Sequence, residues 1–132
     1  MSEYKTITAQ RDEAVMEAFH RALKEHAGKP IGEIMRIASE MPAPRFYVSP
    51  SVAIKRVSEL ARGKWRSKYE ASNLQYEELL RRWRASGAKN YTALEDIVEE
   101  PAPSFYLSYI TFEQLVYRIM RKRNARDKKK NS

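Results

Sequence analysis

Apolar side chains recur along this chain with the three-to-four-residue spacing of helices that bury one face. Val15, Phe19, Ala22, Leu23 and His26 fall on one side of a segment, and Glu13, Glu17, Arg21, Lys24 and Glu25 take the other. The pattern predicts an amphipathic helix over about residues 9–27. Gly28 is placed to terminate it and Pro30 to stop its propagation. A second helix opens near Ile31 with Ile34, Met35 and Ala38 inward, and closes at Met41, because Pro42 disfavours helical backbone in the residue before it. A third starts at Ser49, whose hydroxyl suits an N-cap, with Pro50 in the first helical position. Ala53, Val57 and Leu60 mark its buried side.

The scheme then returns. Pro42-Ala43-Pro44-Arg45-Phe46-Tyr47-Val48-Ser49 reappears as Pro101-Ala102-Pro103-Ser104-Phe105-Tyr106-Leu107-Ser108, 59 residues on, with six of eight positions identical. Tyr76, Leu79, Leu80 and Trp83 mark a further helix before the second copy. Tyr91, Leu94, Ile97 and Val98 mark another, and Phe112, Leu115, Val116 and Ile119 the one after it, with Ser108 in the cap position. The expected fold class is all-α: two tandem, internally duplicated three-helix units, each reading helix, helix, Pro-Ala-Pro-x-Phe-Tyr loop, helix. The first unit covers residues 1–68 and the second 69–123. Gly63 is the one strong breaker between Ser51 and Ala85. The third helix of the first unit therefore either runs on into the second unit, tying both into one compact domain, or bends near Gly63 or around Ala71-Ser72-Asn73. Residues 124–132 have no apolar anchor after Ala125 and are expected to form a disordered basic tail.

Charge adds what periodicity cannot. The chain carries +8 over 132 residues, unevenly placed. Residues 1–49 balance seven cations against seven anions, residues 50–90 carry ten against four, 91–115 none against five, and 116–132 eight against one. Each positive block follows a copy of the aromatic loop, as expected of an electrostatic footprint for nucleic acid. Cysteine is absent, so stability rests on packing alone. No stretch approaches the roughly 18 apolar residues that span a bilayer, and Met1-Ser2-Glu3-Tyr4-Lys5 lacks the apolar run of a signal peptide. The expectation is a soluble, cytoplasmic protein without membrane contact.

Catalytic chemistry finds no foothold in the pattern. His20 and His26 are six residues apart on one helix and face different ways, so they do not form an i, i+4 metal pair. Four scattered glycines cannot build a phosphate loop. Glu95, Asp96, Glu99 and Glu100 crowd one short helix rather than converging across a cleft. No enzyme activity, cofactor, metal or small-molecule substrate is expected. Phe46-Tyr47 and Phe105-Tyr106 are read first as plugs between helices, with the tyrosine hydroxyls satisfying backbone groups. Stacking on a nucleobase is the functional alternative.

Ile31-Gly32-Glu33-Ile34-Met35-Arg36-Ile37-Ala38-Ser39-Glu40 resembles the supporting helix of a helix-turn-helix. Val48-Ser49-Pro50-Ser51-Val52-Ala53-Ile54-Lys55-Arg56-Val57 is similar to the Val-Ser-x-Ser-Thr-Val start of many bacterial recognition helices. Eight residues separate Met41 from Pro50, where that motif has a turn of three or four. The resemblance implies Ser51, Lys55 and Arg56 nearest a major groove, with Arg62, Lys64, Arg66 and Lys68 on phosphates. In the second unit Tyr109, Ile110, Phe112 and Gln114 suit protein contact, while Arg118, Arg121, Lys122, Arg123 and Arg126 follow as a backbone grip. The expected function is nonenzymatic binding of nucleic acid, duplex DNA first. The competing expectation is a helical adaptor or assembly subunit that meets proteins, including copies of itself, through its acidic and basic blocks.

Overall fold

The computed structural model describes residues 3–130, with side chains for 6–128. Met1 and Ser2, read above for a leader, and Asn131 and Ser132 of the expected tail lie outside the described residues. Six α-helices and one 3-10 turn follow in order: α1 (Glu3–Glu25), α2 (Ile31–Ser39), α3 (Pro50–Ala61), α4 (Glu70–Ala85), the 3-10 turn Tyr91–Ala93, α5 (Leu94–Ile97) and α6 (Tyr109–Lys130). No strand longer than a single bridge occurs among the described residues.

Local chemistry accounts for the helix ends. Ser49 Oγ accepts from Val52 N at 3.3 Å and Pro50 opens α3. Ser108 Oγ accepts from Thr111 N at 3.1 Å and caps α6 in the same way. At the far end of α3, Gly63 sits at φ +68, with its N–H on Leu60 O at 3.0 Å and the Lys64 N–H on Glu59 O at 2.8 Å. That pair of bonds is a Schellman stop, so the chain turns at Gly63 and residues 51–85 do not form one rod. Asn73, 4% exposed, holds the turn: its Oδ1 accepts from Ser67 N and its Nδ2 donates to Ser67 O, both at 2.8 Å. Nothing lies within 4 Å of a Cβ built at Gly63. Gly63→Ala is therefore expected to lower stability by about 1 kcal/mol through backbone strain alone, read as a lower urea midpoint.

The two Pro-Ala-Pro segments pair with each other. Ala43 N donates to Ala102 O at 3.0 Å and Ala102 N to Ala43 O at 2.9 Å. Proline has no N–H, so the alanine is the one donor each tripeptide has, and a one-residue bridge is the most that it can form. Both alanines are buried. The rings that follow cross over as well: Phe46 stacks on Tyr106 (5.8 Å, 14°) and Tyr47 on Phe105 (6.3 Å, 8°). The two segments differ where their backbones do. Tyr106 has φ +54, and Ser104 Oγ accepts its N–H at 3.0 Å. At the matching place in the first segment, Arg45 Nε donates to Phe46 O at 3.1 Å.

Beyond this crossing the helices that follow the two segments pack in different places. Helix α3 packs on α4, α5 and the 3-10 turn, whereas α6 packs on α1 and α2. The buried apolar side chains form one cluster from Ala14 to Ile119. The expected boundary at 68/69 thus marks the bend between α3 and α4 rather than a division of the core. Since α2 sits against α1 and α6, and α3 sits elsewhere, the two are not the packed pair that a helix-turn-helix requires.

Arg82 ties α4 to the second Pro-Ala-Pro segment. Its guanidinium donates to Glu78 (2.9 Å), Glu100 (3.2 Å) and Pro101 O (2.9 Å), and lies 4.9 Å from the Phe46 ring centre. Glu78 also accepts two bonds of 2.7 Å from Arg81. The Arg81 bonds above all, with the one from Arg82, hold the Glu78 carboxyl at about 2, against burial that pushes it up. Its folded pKa lies below the ordinary 4.5, so its stabilising effect is complete above that value and fades as pH falls toward 2. Glu78→Gln is expected to lower the urea midpoint at pH 7, with the gap to the parent closing as the pH approaches 2.

The tail corrects the sequence expectation: α6 continues to Lys130. Arginine, lysine and alanine are strong helix formers, and the register set by Phe112, Leu115, Val116 and Ile119 carries on without a breaker. Among the described residues no helix is long and apolar enough to cross a membrane.

Candidate nucleic-acid interface

The basic residues singled out in the sequence have divergent surroundings. Arg56 lies 4.6 Å from the centre of the Trp65 ring and pairs with Glu59 at 3.4 Å, so it braces the α3–α4 bend. Arg66 pairs with Glu77 at 3.0 Å. Arg62 turns back on α3, its Nε donating to Ser58 O at 3.2 Å, which suits a cation at a helix C-terminus. Ser51 is exposed beside the α3 cap, with its Oγ 3.3 Å from Ser49 Oγ. Lys55 and Lys64 are exposed and have no carboxylate in ion-pair reach among the described residues. Lys68 Nζ sits 5.3 Å from the centre of the Tyr69 ring.

On α6 the cations are unencumbered. Arg118, Arg121, Lys122, Arg123 and Arg126 are exposed, and none has a carboxylate in ion-pair reach among the described residues. Ile119 is the last buried residue among those whose side chains are described, so from Met120 onward α6 extends past the core for about 15 Å. Its like charges three and four residues apart repel by a few tenths of a kcal/mol per pair, a cost that a bound polyanion relieves.

Three adjoining clefts bring Lys68, Arg118 and Arg121 together; Ser51, Lys55, Arg56, Arg62, Lys64, Arg66, Lys122, Arg123 and Arg126 line none of them. A cleft of about 410 Å³ is walled by Arg11, Arg118, Arg121, Leu107, Thr111 and Gln114. Beside it a cleft of about 430 Å³ contains Lys68, Tyr69, Glu70, Gln75 and Tyr106, and shares the walls Leu107 and Thr111. A smaller, largely apolar cleft of about 230 Å³ is formed by Ile7, Tyr47, Val48, Val52 and Tyr76, shares Arg11 with the first, and shares Gln75 with the second. The end of the 62–68 block and the start of the α6 block therefore face each other across the first turn of α6. Burial pushes the Tyr47 and Tyr106 hydroxyls above the usual phenol range, so both remain neutral hydrogen-bonding groups.

Arg11, Tyr69 and Gln75 escaped the sequence reading. Arg11 was hidden by the neutral balance of residues 1–49, and in the fold Asp12 holds it through contacts of 3.0 and 3.3 Å. The Lys68-Tyr69 pair, a cation next to an aromatic in a basic block, was a usable signal. The acidic group Glu95, Asp96, Glu99 and Glu100 is exposed on α5 and the turn after it, with Glu100 on Arg82. Compared with known proteins, the chain matches no family model, no curated protein and no solved structure.

Proposed function

We propose that this chain is a nonenzymatic nucleic-acid-binding protein that grips phosphates through the exposed cations of α6 and the basic end of the α3–α4 bend. One observation carries the reading: Lys68 and the Arg118–Arg121 pair line adjoining clefts with Leu107 and Thr111 in common, so cations from two blocks far apart in sequence come together, with the Glu70 carboxylate also in the lining beside Lys68. Of the twelve residues named from sequence, two, Arg56 and Arg66, are spent on carboxylates, and the α6 set is free of them. Major-groove reading by Ser51, Lys55 and Arg56 is not part of this proposal, because α2 does not support α3. The Ala43–Ala102 bridge, the reciprocal ring stacks and the exchanged third helices support reading the chain as a duplicated helical trio.

A mobility-shift titration over a salt series tests the function. Binding should weaken as salt rises with a log–log slope of about −0.9 per phosphate neutralised on duplex and about −0.7 on single strands. Absence of binding to any nucleic acid at low salt overturns the proposal. Salt-sensitive self-association without such binding, read by light scattering, would replace it with the assembly reading.

A further inference from the structure

The three joined clefts are not a plain cationic strip. Tyr69 is 64% exposed, directly beside Lys68, and opens onto the cleft where Gln75 and Tyr106 stand. At the other side Tyr47 lines the apolar cleft, with the Arg11 guanidinium at the junction with the arginine cleft. That apolar cleft, about 230 Å³, is below the ~300–1,000 Å³ of pockets for drug-sized ligands and suits a flat fragment such as one base. Cations, exposed or half-exposed aromatic rings and an amide thus share a concave surface, with Glu70 as an acidic group beside Tyr69.

A duplex offers such a surface phosphates and sugars, with its bases stacked away from the aromatic groups. An unpaired strand offers phosphates and bare base faces together, and proteins that hold single strands combine a positive groove with aromatic platforms. The geometry points to single-stranded nucleic acid as the preferred ligand, its phosphates on Arg118, Arg121 and Lys68 and its bases against Tyr69 and in the Tyr47 cleft. The Gln75 amide, common to the Tyr47 and Tyr69 clefts, supplies both a donor and an acceptor for base edges. This inference rests on the reading of the basic face as a nucleic-acid surface.

Fluorescence anisotropy on the full chain at low salt tests it, with four probes of about 15 nucleotides, near the upper site size of single-strand binders: oligothymidylate, its RNA counterpart, an abasic strand with the same phosphates, and a duplex. The thymidylate or RNA strand should bind about tenfold or more tighter than both the abasic strand and the duplex, and the DNA and RNA arms show which sugar is favoured. Tyr69→Leu should weaken the base-bearing strands about fivefold to a hundredfold, the range that stacking of one base supplies, and leave the abasic strand unchanged. The variant should fold normally, because the Tyr69 ring is exposed and its N–H bond to Ser67 Oγ is a backbone bond. Thermal unfolding checks this. Equal binding of abasic and base-bearing strands, a duplex bound as tightly as a single strand, or indifference to Tyr69→Leu would overturn the single-strand inference while the phosphate reading stands. Failure of all four probes to bind removes both.

Discussion

Phe46→Ala is expected to lower the stability of this protein by about 3–5 kcal/mol. The ring is 1% exposed and has a partner on several sides. Tyr106 stacks on it, the Arg82 guanidinium lies 4.9 Å from its centre, and its own N–H donates to Val98 O at 2.9 Å. Alanine keeps the backbone bond and removes the rest. The cavity opens where the two Pro-Ala-Pro segments cross, and the bridge beside it consists of two hydrogen bonds with no neighbouring ladder to close the gap. Domains of this size hold a net stability of roughly 5–15 kcal/mol, so the variant loses a large share of it. Urea unfolding of parent and variant measures the loss. A cost below about 1 kcal/mol would show that the crossing does not join the halves of the core. Tyr47→Ala, whose ring is only half-buried, should cost less.

The reason this crossing escapes a sequence reading is instructive. The repeat itself is plain, and the structural role assigned to Phe46 and Phe105 agrees with their burial. What the repeat cannot reveal is that its two copies meet. A single alanine bridge has no alternating pattern to advertise a strand, and the stacked rings beside it lie 58 and 60 residues apart in sequence. The starts of α3 and α6 were legible because Ser49-Pro50 and Ser108 act on neighbours within one turn, whereas α1, expected from about residue 9, begins at Glu3. The bend at Gly63 stood as one of two alternatives, and the deciding contacts are the two Schellman bonds and the Asn73 clamp on Ser67. Asn73 belongs to the segment proposed for the other bend, and it fixes the chain without breaking α4.

The basic face shows the same division. Its net charge and its two blocks were visible in composition. Which cations remain available was not, because Arg66 is neutralised by Glu77, eleven residues on, and Arg56 is drawn to Trp65 by the same bend that separates α3 from α4. The unpaired set lies on α6 because residues 116–132 contain one acidic side chain among eight basic ones, so local ion pairing has almost nothing to work with. Composition thus reports availability where a block is pure and misreports it where acids are mixed in.

Replacing Arg118, Arg121, Lys122 and Arg126 together by glutamine is expected to remove most of the affinity for nucleic acid. Each phosphate contact on a duplex contributes about 0.9 log units per tenfold change in salt, so four lost contacts correspond to roughly three log units of affinity near 0.1 M salt, and the salt slope should fall by between three and four. Glutamine is a good helix former, and three of the four positions lie beyond Ile119, the last buried residue among the described side chains. Thermal unfolding should therefore stay within a few degrees of the parent, or rise slightly as like-charge repulsion along α6 is relieved. The matching control replaces Arg21, Lys24, Lys29 and Lys89, four exposed cations that lie neither on α6 nor in the clefts, Lys29 being paired with Glu33 at 3.5 Å. It removes the same formal charge and should change affinity far less. An equal loss from both sets would mean that net charge alone attracts the polyanion, and that the convergence of Lys68, Arg118 and Arg121 around the first turn of α6 has no functional weight.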